Sequence, residues 1–170
     1  MPNNKDTMKN HAVAAITLTS FLLPFAGDAS SESPATPPGV YPFGFDDLMT
    51  MLVAPRHLKL HLSGTGSNWE LAAAEARNLR AALARISQTF PKYLGIGVAE
   101  AASTLFEPKL KAVETAIAAA DSKKFVAAYA EMTDACNACH VYMERPYVVI
   151  KVPGAATASA YPNQEFLATP

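Results

Sequence analysis

Between Phe125 and Met143 an apolar stripe runs through Phe125, Ala128, Tyr129, Met132, Ala135, Cys136, Cys139 and Met143 in steps of three and four. Steps of three and four place such residues on one face of a helix, and they cannot alternate as a strand requires. Asp121 or Ser122 supplies an N-cap before this run, and Pro146 ends it. The surrounding chain has the same character: it is rich in Ala, poor in β-branched runs, and 50% of its 170 residues are hydrophobic. An all-α fold follows from those propensities.

Three further helices are expected. The first opens on Asp46 and Asp47, whose carboxylates suit a helix N-terminus, runs to about Ser63 and is kinked at Pro55. Gly64 to Asn68 is a turn, with Asn68 as the next N-cap. The second helix carries Leu71, Leu79, Ala82, Leu83, Ile86 and Phe90 at helical spacing and stops at Pro91. Gly95 and Gly97 break the periodicity, leaving Val98 to Leu105 as a short helix at most. Pro108 fits the first turn of a third helix through Leu110, Val113, Ala116 and Ile117. Short connections favour antiparallel neighbours, so the expected architecture is an antiparallel four-helix bundle over residues 43–153. The run Tyr147 to Val152 is expected to be extended and to cover one end of it.

The N-terminus reads as an address. Lys5 and Lys9 precede an apolar stretch from about Ala12 to Phe25, and Gly27 and Ala29 suit cleavage after Ala29. That order describes a signal peptide over 1–29 and an exported, periplasmic protein, with Met1 or Met8 as its start. The apolar run is shorter than a bilayer span, so no integral span is expected in the mature chain. Residues 30–42, SSESPATPPGVYP, form a Pro/Ser-rich linker, and 154–170 a flexible surface tail. A formal net charge of −1, with only 17% charged residues, argues against nucleic-acid binding.

The sharpest motif is Cys136-Asn137-Ala138-Cys139-His140, the C-x-x-C-H pattern of c-type haem attachment. Thiols on adjacent turns can each add across one vinyl group of the same porphyrin, and the imidazole beside them can hold the iron. Three other readings stand beside it. A redox dithiol normally opens a helix in a βαβ setting. Half of a zinc site would need the remaining His residues to complete it. Two buried Cys beside an incidental His would carry no chemistry at all.

A C-x-x-C-H on the last helix of an exported four-helix bundle resembles the class II cytochromes c, the cytochrome c′ group and its low-spin relatives. The resemblance spans about residues 43–146 and rests on Cys136, Cys139 and His140; the remainder is layout. Asn68-Trp69 after a Gly-rich turn, with Lys59-Leu60 before it, is similar to one exported branch of that group. Many relatives carry a basic residue four positions after the ligating His, where this chain has Glu144 followed by Arg145. The resemblance implies one covalent haem c, His140 as proximal ligand, and one-electron transfer to a redox partner protein. Its alternative is a five-coordinate iron that binds nitric oxide or carbon monoxide. A homodimer is common in the group, and Ala-rich helix faces permit one here.

The distal ligand is open on sequence. The haem should meet the start of the first helix, which offers Met49, Met51, His57 and His61. At about 100° per residue, Met49 and His57 share an interior stripe while His61 lies nearer solvent. Core filling is the plain alternative for either Met, and a place on the rim beside Arg56 and Lys59 for His57. Trp69 is expected to pack over the turn rather than touch the haem. No acid–base pair, activated nucleophile or phosphate loop suggests an enzyme; Gly64-Thr65-Gly66 is a lone turn.

Overall fold

The computed structural model describes residues 42–154, 161 and 164–168. The expected signal peptide (1–29), and the expected linker except for Pro42, lie outside the described residues. The chain is mostly helical, with four helices and one short ribbon. The first helix, α1, winds as α over Phe45–Leu48, as a π turn over Met49–Val53, and as α again over Ala54–Thr65. α2 is Trp69–Thr89. α3 repeats the mixed winding of α1: Val98–Ala101, a π turn Ala102–Phe106, and Glu107–Ala118. α4 is Ser122–Tyr142.

The caps are those the sequence suggests. Asn68 accepts a hydrogen bond from the Leu71 N–H at 3.1 Å, and Asp121 does the same for Lys124 at 2.9 Å. Asp47 accepts from the Gly44 N–H ahead of α1. The interior is apolar, with Leu60, Ile86, Leu110, Val113, Phe125 and Met132 fully buried. Ion pairs cross three of the helix contacts: Arg56–Glu75 between α1 and α2, Arg80 to both Glu107 and Glu114 between α2 and α3, and Lys109–Glu131 between α3 and α4. Arg145, just past α4, returns to Asp46 at the start of α1.

The structure departs from expectation at the prolines. Pro108 is expected to open a new helix but lies inside α3, and Pro55, the expected kink of α1, likewise follows a π turn within a continuous helix. In each, the residue before the proline bonds five positions back instead of four: Ala54 N–H to the Met49 carbonyl, and Glu107 N–H to the Ala102 carbonyl. Proline has no N–H to give and its ring crowds the carbonyl four residues earlier. A widened turn just ahead accommodates both problems without ending the helix.

Three smaller differences have local causes. α1 continues to Thr65 rather than about Ser63, and Gly64 is helical because the Phe125 ring lies against it; a Cβ there would sit 2.0 Å from Phe125 Cζ. Residues 92–97 form a ribbon, β1 (Lys92–Tyr93) paired antiparallel with β2 (Ile96–Gly97). Leu94 and Gly95 at its tip have φ of 50° and 82°, as the tight mirror-image hairpin turn demands. The expected surface tail is anchored in part: Phe166 is buried, and Leu167 pairs with Ser67 and accepts from the Asn68 amide. No helix among the described residues is long and apolar enough to cross a membrane.

Candidate functional site

Cys136 and Cys139 lie three residues apart on α4 and His140 directly follows, so the three side chains leave one stretch of helix surface. That surface opens onto three adjacent cavities of about 310, 160 and 50 Å³ that share lining residues. His140 and Met49 line all three; Cys139 lines the first and third, and Cys136 the second and third. The walls are largely apolar and come from every helix: Phe45 and Val53 from α1, Leu83 and Ile86 from α2, Val98 and Phe106 from α3. Both π turns contribute, Met49–Val53 on one side and Ala102–Phe106 on the other.

Both cysteines are free thiols. Burial, with Cys139 beside it, pushes the Cys136 thiol up to about 12, and burial raises Cys139 as well. The shift is opposite to the depression that marks a reactive redox thiol. Among the described residues, no group of three or more His, Cys, Asp or Glu comes together to hold a metal ion.

His140 has its two ring nitrogens differentiated. Nδ1 lies 2.8 Å from the Val148 carbonyl oxygen, which can only accept, so Nδ1 carries a proton and donates it there. Val148 belongs to the non-helical segment after Pro146, which runs back along the last turns of α4 instead of covering one end of the helices. Asn137, the first variable position of the motif, holds that segment. Its amide donates to the Ile150 carbonyl at 2.9 Å and its oxygen accepts from the Ile150 N–H at 2.7 Å. Sequence reasoning passed over Asn137, because its partner lies 13 residues away in a stretch with no helical period.

The candidate distal residues separate by position. Met49 faces the cavities and is half-buried, whereas Met51 is 53% exposed. His57 borders the second cavity but is buried, not on a rim, with both ring nitrogens engaged. Its Nε2 is 3.0 Å from Thr133 Oγ1, and the Tyr129 hydroxyl sits 2.9 Å from Nδ1. Each hydroxyl gives its own proton elsewhere, Tyr129 to the His57 carbonyl at 2.8 Å and Thr133 to the Tyr129 carbonyl at 3.0 Å, so either can accept the one ring N–H of the neutral imidazole. Burial, helped by the neighbouring His61, drops His57 to about 4 and keeps it neutral. His61 is half-buried, more open than His57, but its ring turns inward: it packs on Tyr129 at 4.9 Å and its Nδ1 is buried with no hydrogen-bond partner among the described residues. The π turn is the reason, because a uniform 100° per residue does not hold across Met49–Val53. Trp69 lies edge-on to Phe125 at 6.0 Å, away from the cavities.

Arg145 lines the 310 Å³ cavity, stacked over Tyr93 at 5.0 Å and paired with Asp46 at 3.3 Å. Glu144 before it is exposed, with φ of 60°. The residues present therefore suit a flat, largely apolar group attached through two thiols. They give it an imidazole, a sulfur-bearing side chain in the same cavities and a cation in the lining. Comparison with protein-family models, with curated proteins and with solved structures gives no match.

Proposed function

We propose that this chain is an exported c-type cytochrome of the class II kind, an antiparallel four-helix bundle carrying one covalent haem c that transfers single electrons in the periplasm. The observation that carries the reading is that Cys136, Cys139 and His140 all line one set of adjoining, largely apolar cavities, with His140 Nδ1 committed to the Val148 carbonyl. Each thiol would add its S–H across one vinyl group, and His140 would hold the iron. Haem supplies a one-electron ferric/ferrous couple whose potential depends on ligands, burial and hydrogen bonds.

The chain's own residues set the conditions. The apolar walls exclude water from the site, and the Val148 carbonyl orients the His140 ring. Met49 is the distal residue favoured, since it lines all three cavities beside the motif while His57 is bound to Thr133 and Tyr129 and Met51 is exposed. A thioether beside the iron supports electron transfer over gas binding. Hydrophobic side chains exposed near the attachment helix, Val141, Tyr142 and Tyr147 among them, suit contact with a redox partner protein.

The test is expression with haem-maturation machinery. The purified protein should show a c-type pyridine haemochrome and the mass of the polypeptide plus one haem. It should lose both when Cys136 and Cys139 are replaced by Ala. The ferric form should be low-spin with a sulfur-to-iron band in the far red, and the ferrous form inert to carbon monoxide. A colourless protein of bare polypeptide mass overturns the reading; a high-spin species that binds carbon monoxide transfers it to the gas-binding alternative.

A further inference from the structure

The variable positions of a C-x-x-C-H motif need no particular chemistry for attachment, yet Asn137 makes two hydrogen bonds to one backbone residue. Its amide and Ile150 close a two-bond ring, 2.9 Å in one direction and 2.7 Å in the other, and both bonds are partly buried. An Asn side chain fits that geometry because it carries one donor and one acceptor at the spacing of a peptide group. The clamp fixes the chain two residues from Val148, and Val148 presents its carbonyl to His140 Nδ1 at 2.8 Å. A second tie holds the other end, where the Val148 N–H donates to the Arg145 carbonyl at 3.0 Å. Between these ties the only side chain of α4 that receives the Val148 carbonyl is His140. Val148 and Val149 are themselves exposed, so little apolar burial holds the segment in place.

We propose that Asn137 is a positioning residue for His140: through Ile150 it holds the Val148 carbonyl on Nδ1–H, and so fixes the ring's tautomer, its orientation and the basicity of Nε2. The consequence for iron rests on the haem reading above. A carbonyl accepting from Nδ1–H makes the imidazole a stronger electron donor through its other nitrogen, which favours the ferric state. The clamp therefore lowers the reduction potential relative to a site where water replaces the carbonyl.

Two readouts separate this proposal from the reading beneath it. In the full chain made without haem, long-range nitrogen–proton NMR should find His140 protonated on Nδ1 in the wild type. Asn137→Ala should move it towards the Nε2–H form usual for free histidine, and the Ile150 amide should lose its exchange protection. In the haem-loaded protein, Asn137→Ala should shift the ferric/ferrous equilibrium towards ferrous by up to about tenfold, or about 59 mV for one electron. Ile150→Pro removes one leg of the clamp without adding charge, and its shift should not add to that of Asn137→Ala. An unchanged His140 tautomer in the haem-free Asn137→Ala chain overturns the proposal, whether or not the wild type takes up haem. So does an unchanged potential in both variants, or a fully additive pair. A colourless wild type with the expected tautomer change removes the haem reading and leaves the clamp standing.

Discussion

The two ends of the helical core are packed for different purposes. At the end near Gly64, α1 presses so closely on α4 that the Phe125 ring occupies the space of a glycine side chain. Trp69 stands edge-on to the same ring, and Phe166 adds a buried aromatic beside the α1–α2 turn. At the other end α4 presents the Cys139 thiol and the His140 imidazole to about 310 Å³ of space lined largely by apolar groups, with the Cys136 thiol on the adjoining cavities. A chain selected only for stability would fill that space, because each unfilled methyl-sized void costs about 1 kcal/mol. The contrast locates stability at one end and ligand capacity at the other, with the His57–Tyr129–Thr133 cluster between them.

Three measurements test that division. The largest effect is expected from Phe125→Ala: removing a fully buried ring should cost about 3–5 kcal/mol in urea unfolding and leave the haem spectrum of the folded protein unchanged. A changed spectrum would mean that the ends are coupled. Next, Gly64→Ala forces a methyl against Phe125 and should cost about 1–3 kcal/mol, with the reduction potential unmoved.

The third concerns the boundary. His57 titrates near 4 when folded and near its ordinary 6.5 when unfolded, so between these values the unfolded chain binds the extra proton. Its contribution to stability is constant above that window and falls as the pH drops through it. Unfolding at pH 5.5 should therefore be roughly 1 kcal/mol easier than at pH 7.5 on its account. The slope should flatten in His57→Gln, and an equal slope in both proteins would remove His57 from the balance.

Much of this arrangement is written locally. Asn68 and Asp121 announce their caps through short polar side chains ahead of apolar periods, and Leu110, Val113, Ala116 and Ile117 are buried where their spacing puts them. The grouping of Cys136, Cys139 and His140 on one surface needs only helical geometry. What escaped reading depends on exceptions or on distance. Pro108 reads as a helix start because a proline inside a helix is normally costly, and nothing in ASTLF declares a π turn. The ribbon sets Leu94 at φ 50°, a conformation Leu seldom adopts. Phe166 finds its place some hundred residues from the turn it covers, as the Asn68–Leu167 bond shows. His61 faces inward because the winding ahead of it is not uniform.

The π turn at Met49–Val53 holds one residue more than an α-turn needs. Loss of a single residue there would rewind the rod as ordinary α-helix and swing the segment before it through about 100°, at the cost of pressing the Pro55 ring against the carbonyl four residues earlier. Met49 would turn away and a neighbour would face the cavities instead. A lineage carrying such a helix thus has an evolutionary dial: a one-codon deletion exchanges the side chains that the start of the first helix offers to the cavities, Met49 and Phe45 together, while the walls from the other helices stay.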